Sequence, residues 1–126
     1  MGVPEEIARS KYVRLTTYRK DGTPVVSPVW QATVGGLMYI VSDADAWKVK
    51  RIRRDGRVLV TVCDLRGRVK DGAVSAEGVA RVLDEEGTRE ARAIIARKYL
   101  TSRVGNWVAR TLRLPKPPVV GISVSI

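Results

Sequence analysis

The chain has 126 residues, the size of one domain, enough to bury roughly two thirds of its unfolded surface in a single core. It has no histidine, which removes the usual general base, zinc ligand and proximal haem ligand, and no apolar run near the ~18 residues of a membrane span. A net charge of +10 attracts anions, without choosing among nucleic acid, acidic lipid and a phosphorylated small molecule.

The opening Met1-Gly-Val-Pro-Glu-Glu6 lacks the basic-then-apolar pattern of a secretory signal, so a single domain over residues 1–126 in the cytoplasm is expected. Tyr12 to Tyr18 alternates and is β-rich, Lys20-Asp-Gly22 supplies a hairpin turn, and Thr23 to Val34 reads as one second strand. Pro24 and Pro28 cannot donate to a ladder, which places that strand at an edge or puts a bulge near Pro28, with exposed backbone able to face a ligand. Gly35-Gly36 marks another hairpin before a third strand, Leu37 to Val41.

Ser42-Asp-Ala-Asp45 reads as a helix start with Asp43 or Asp45 as N-cap, followed by a short helix from Ala46 to about Arg54. Val49 and Ile52 form its apolar side, and Lys48, Lys50, Arg51, Arg53 and Arg54 make it the densest basic segment of the chain. Arg57 to Asp64 is a fourth strand and Ala73 to Leu83 a fifth, joined by a polar connection from Leu65 to Gly72. The lone cysteine, Cys63, reads as a small buried residue of the fourth strand.

Glu85 to Leu100 has helical periodicity, with Ala91, Ile94, Ile95 and Tyr99 on one face, and a second helical piece is expected over Val104 to Leu112. Pro115, Pro117 and Pro118 stop it, and Val119 to Ile126 is a last alternating strand. These elements predict a mainly β protein: a six-stranded antiparallel barrel with a short crossover helix and a helical excursion before the last strand.

Asp21-Gly-Thr-Pro-Val-Val-Ser-Pro-Val-Trp30, then Met38 to Asp45, then Lys48-Val-Lys-Arg-Ile-Arg-Arg-Asp55, and finally Ala76-Glu-Gly78 resemble the F-420-dependent deazaflavin reductases of the pyridoxamine-phosphate-oxidase-like, FMN-binding split β-barrel superfamily. The resemblance covers nearly the whole chain and is most specific from Gly22 to Arg57. It implies a split β-barrel homodimer with a cofactor at each end of the interface. It also implies Lys48 as principal contact to the cofactor's phosphate and acidic tail, with Lys50 and Arg51 in support. A helix N-terminus and nearby cations suit an anion independently, whereas a solvated basic face is the ordinary fate of such a run.

In Ser27-Pro-Val-Trp30 the functional reading has backbone beside Pro28 contacting the cofactor ring, with Val29 and Trp30 in the pocket wall; an edge strand with core packing is the plainer one. Ser42 suits a phosphate contact or a simple turn cap, and Trp47 suits stacking near the cofactor or against a partner subunit; Val49 belongs to the same segment. Phosphate-binding flavin relatives often carry Ser-Arg or Ser-Gly before the lysine, and here the pair is Ala46-Trp47, which weakens FMN more than F-420.

The activity implied is hydride transfer from reduced coenzyme F-420 to an electron-poor small-molecule acceptor, with the cofactor carrying the difficult chemistry. No catalytic residue is assigned; a proton can come from solvent or from Tyr39, a strand residue more ordinarily used in packing. The alternatives are an FMN-dependent oxidase or reductase on the same fold, or a non-enzymatic ligand-binding barrel. A nucleic-acid barrel would interleave stacking aromatics with its basic groove; here phenylalanine is absent and the basic cluster lacks interleaved tyrosines, so no nucleic-acid partner is expected.

Overall fold

The computed structural model describes residues 3–64, 66–99 and 118–126. The expected helical piece Val104 to Leu112 and the side chain of Tyr99 lie outside them.

A short helix α1 (Glu5–Arg9) precedes β1 (Tyr12–Tyr18), β2 (Pro24–Trp30), β3 (Ala32–Val34) and β4 (Leu37–Asp43). Helix α2 (Trp47–Arg54) leads to β5 (Arg57–Val62) and β6 (Ser75–Val82), then α3 (Glu85–Tyr99) and β7 (Val119–Ser125). The strands form one antiparallel sheet in the order β2-β1-β5-β6-β7-β4-β3, so the fold is mainly β: a curled half-barrel with helices.

Among the described residues there are seven strands where six were expected, because the stretch read as one long strand breaks at Gln31. The Gln31 side chain is fully buried, and its Nε2 amide donates to the carbonyls of Ile7 and Ser10 at the end of α1, which anchors the bend there. Below this bend the chain pairs with β1 and above it with β4. Two strands consecutive in sequence thus occupy opposite edges of the sheet, and the sheet must curl to bring those edges together.

One side of the bend stays open. Among the described residues, β2 has β1 as its single partner from Pro24 to Trp30, and β4 pairs with β3 only from Leu37 to Tyr39. Two half-edges, β2 and the Ile40–Asp43 end of β4, therefore diverge from Gln31 as the lips of a split.

Pro24 and Pro28 occupy an edge strand, and the register runs unbroken from Tyr12 opposite Trp30 to Tyr18 opposite Pro24, with no bulge at Pro28. Gly35 and Gly36 both take positive φ, at 62° and 81°, the backbone that a two-residue turn between β3 and β4 requires.

The core holds Val13, Leu15, Val29, Met38, Ile40, Val58, Val60, Ile122 and Val124 from the strands, closed by Ile7 of α1 and by Val49 and Ile52 of α2. A satellite cluster of Ala32, Ile94 and Ile95, with Trp30, Tyr39 and Val41, lies where α3 covers β3 and β4.

Cys63 falls outside the strand and outside the core: β5 ends at Val62, and the half-buried thiol borders a surface cavity with Asp64 and Arg68. Burial first, then the Asp64 carboxylate, pushes that thiol above its ordinary value, with Arg14 opposing. Among the described residues no helix is long and apolar enough to cross a membrane.

Candidate functional site

Helix α2 starts at Trp47 with Ala46 as N-cap, not Asp43 or Asp45; Asp43 is the last residue of β4, and no side chain caps the helix. Its first turn contains no acid, so the partial positive charge of the N-terminus is not offset by the helix's own residues. Val49 and Ile52 face the core, which turns Trp47, Lys50, Arg53 and Arg54 outward and leaves Lys48 and Arg51 half-buried at the flanks.

Trp47, Lys50, Arg51 and Arg54 of α2 meet Arg19 and Lys20 of the β1–β2 hairpin around a groove of about 510 Å³. The hairpin is fixed to the helix by two bonds: Arg54 Nη2 donates to Tyr18 O at 2.7 Å and Arg51 Nη1 to Thr17 Oγ1 at 3.4 Å. Trp47 is 69% exposed, with Lys50 Nζ 4.5 Å from its ring centroid. None of the five cations makes a salt bridge among the described residues, where the ion pairs are Arg57–Asp55 and Arg68–Asp64. Five positive charges at close quarters repel one another, and an anion relieves that repulsion.

The groove lies at the mouth of the split, because its two walls, the β1–β2 hairpin and α2, continue from the far ends of the two lips. Sequence reasoning found Lys50, Arg51 and Trp47 but gave Arg19 and Lys20 no role in binding; the signal was two adjacent cations at the turn, of which Lys20 was read only as a turn residue. Lys48 is half-buried beside Asp43 and does not line the groove. Burial holds its ammonium below the ordinary lysine value of 10.5, with Asp43 opposing.

On the opposite lip, Val29 turns into the core and Ser27 is half-buried opposite Leu15, while Pro28 is exposed. Gly67, in the β5–β6 connection, comes close enough to Pro28 that a Cβ added to it would stand 3.5 Å from the proline ring. Trp30 packs with Tyr12, ring centroids 6.3 Å apart, and with the α3 cluster, and Tyr39 belongs to the same cluster. Ser42 is buried, and its hydroxyl donates to Asp43 O at 3.2 Å. Among the described residues no cluster of histidine, cysteine, aspartate and glutamate could hold a metal ion.

The chain is thus a curled antiparallel sheet, split along one seam, with a cationic groove between the β1–β2 hairpin and α2. The chain matches the family model of pyridoxamine 5'-phosphate oxidase over residues 3–124 and belongs to that family. No curated protein matches it.

Among solved structures, a conserved hypothetical protein of Mycobacterium tuberculosis shares 26% identity at a TM-score of 0.68, over 98% of this chain and 79% of that one. An F-420 reductase is similar at 21% identity and a TM-score of 0.64, over 98% and 94% of the two chains. A FAD-binding protein of Mesorhizobium loti is similar at 23% identity and a TM-score of 0.66, over 95% and 83%. At these last two identities the likeness is one of fold.

Proposed function

We propose that this protein binds a flavin-like cofactor in the split and acts as an oxidoreductase, with coenzyme F-420 as the cofactor and an electron-poor small molecule as hydride acceptor. The observation that carries the reading is the groove at the mouth of the split: five cations, an exposed tryptophan and no acidic residue on its wall. A ligand suited to it carries several negative charges at one end, as the phosphate and glutamate tail of F-420 do.

Arg19, Lys20, Lys50, Arg51 and Arg54 would hold that acidic end, and the exposed Trp47 would cover it. Lys48 adds positive charge from its half-buried place beside the groove, and Ser42 with the uncapped start of α2 sits at the end of the β4 lip. The β2 lip, Ser27 to Trp30, would flank the ring with its backbone, Val29 and Trp30 fixing the strand from either face. Val49 acts only by anchoring α2. The bound cofactor supplies hydride chemistry, and the protein supplies position, exclusion of water and electrostatics. This division of labour needs no histidine.

The outer face of β2, β1, β5 and β6 is uncovered in the described chain and exposes Val26 and Val79, which supports a homodimer formed through it. FMN on the same fold is the second reading, favoured by the FAD-binding neighbour, and the Ala46-Trp47 pair before Lys48 weighs against it.

The test is titration of the purified protein with oxidised F-420 and, separately, FMN, followed by fluorescence quenching at low and physiological salt. Tight, salt-sensitive binding of F-420 supports the reading. Binding of FMN alone moves it to a flavoenzyme, and binding of neither overturns it in favour of a non-enzymatic module.

A further inference from the structure

Pro24 and Pro28 lie on the same lip of the split, and the ladder determines which way their nitrogens face. The amide of Gln31 donates to Lys11 O at 3.3 Å and that of Arg19 to Thr23 O at 2.9 Å. Both pairs continue the register that opposes Val13 to Val29 and Thr17 to Val25. Odd-numbered residues of β2 therefore spend their backbone groups on β1, and even-numbered residues turn theirs to the free edge.

Each proline thus sits where its missing hydrogen costs no ladder bond, and the free edge is left unbalanced. Pro24, Val26, Pro28 and Trp30 each present a carbonyl there, while an N–H is presented by Val26 and Trp30 and withheld at Pro24 and Pro28.

A flavin and a 5-deazaflavin differ at the ring atom that exchanges hydride. Nitrogen 5 of an oxidised flavin carries a lone pair that needs a donor, whereas carbon 5 of a deazaflavin carries a hydrogen and tolerates a nearby carbonyl. We propose that Pro28 selects the cofactor: it withholds the edge N–H that would satisfy flavin nitrogen 5 and leaves a carbonyl-lined lip suited to the deazaflavin C–H. This rests on the split being the cofactor site and goes beyond it by naming the residue that sets the choice.

The full chain is titrated with FMN and 5-deaza-FMN, which differ only at this atom, and with F-420 as reference, by fluorescence quenching. The wild-type protein holds 5-deaza-FMN more tightly than FMN. Pro28→Ala, which restores the N–H, raises FMN affinity roughly three- to tenfold, the worth of one net hydrogen bond, and leaves 5-deaza-FMN within about twofold. Pro28→Gly reproduces the shift, and Pro24→Ala, which adds an N–H elsewhere on the same edge, leaves the ratio of the two ligands unchanged.

A wild-type preference for FMN overturns the role of Pro28, as does a ratio that stays fixed in both Pro28 variants or moves equally in Pro24→Ala. Each of these leaves the cofactor site standing. A wild-type protein that binds none of the three ligands overturns the site itself and the selection with it.

Discussion

The Gln31 Nε2 amide lies 2.8 Å from the carbonyl oxygen of Ile7 and 2.5 Å from that of Ser10, which ties the bend between β2 and β3 to the end of α1. Its Oε1 accepts from Thr33 Oγ1 at 2.8 Å, so both ends of a buried amide are satisfied. Gln31→Leu keeps the bulk and orphans these partners. We expect a loss of about 2–4 kcal/mol of stability, measured by urea denaturation, since unsatisfied buried polar groups cost more than the bonds they replace. A loss below about 0.5 kcal/mol, the level of an ordinary surface change, would show that the seam is held by apolar packing alone.

The groove assigns different weights to neighbouring cations. Arg51→Ala removes a guanidinium on the groove wall and should weaken F-420 binding by roughly 1.5–3 kcal/mol, with a shallower dependence on salt. Lys48→Ala, which removes a charge beside the groove, should cost less. Isothermal titration of both variants at two salt concentrations checks the order, and a larger effect at Lys48 would move the anion toward Asp43.

Lys48 also gives the site a pH dependence whose direction is fixed. Its folded value lies below 10.5, so its charge, and any attraction it exerts on an anion, fades as pH rises through that depressed value, before an exposed lysine would titrate. Over the same interval the unfolded chain binds more protons than the folded one at this group, so its contribution to stability rises with pH. F-420 affinity of the wild type should fall on the alkaline side ahead of 10.5, and Lys48→Arg, charged throughout, should flatten that fall. Parallel curves for the two proteins would remove Lys48 from the anion's surroundings.

Asp64 organises the connection that lies over Pro28. Its Oδ1 accepts from the amides of Arg66 at 2.8 Å and Arg68 at 2.9 Å, and its Oδ2 accepts from Arg68 Nε at 3.1 Å. The Arg68 amide first, with further bonds from Arg66 and the Arg68 guanidinium, holds the carboxyl below its ordinary value of 3.8. This support is complete above that ordinary value and is lost as pH falls through the depressed one. Asp64→Asn should speed amide hydrogen exchange in residues 66–72 at neutral pH while leaving β1 and β5 protected; unchanged exchange would mean that the loop is held by something other than this carboxyl.

Much of the fold was legible because its signals are local. The glycine turns, the alternation of β1 and the two-residue apolar stripe of α2 each report on their own neighbourhood, and each element formed close to its expected bounds. The break at Gln31 was illegible for the opposite reason: nothing adjacent in sequence marks it, and its cause is a set of carbonyls more than twenty positions upstream. Cys63 was misread because an apolar run does not reveal where a ladder stops. At the site, the basic helix was visible as a run of charge. The contribution of Arg19 and Lys20 needed the hairpin to fold back on α2, a contact that the Arg54 bond to Tyr18 creates in three dimensions.

The seam at residue 31 has a topological consequence. The two outermost strands of the sheet are joined by a single residue, so the peptide chain itself, in place of a ladder, holds the ends of the curl together. A nick between Trp30 and Ala32 would sever no element, yet it would free both borders at once and turn a nearly closed surface into an open ribbon with two unsatisfied flanks, ready to recruit further copies.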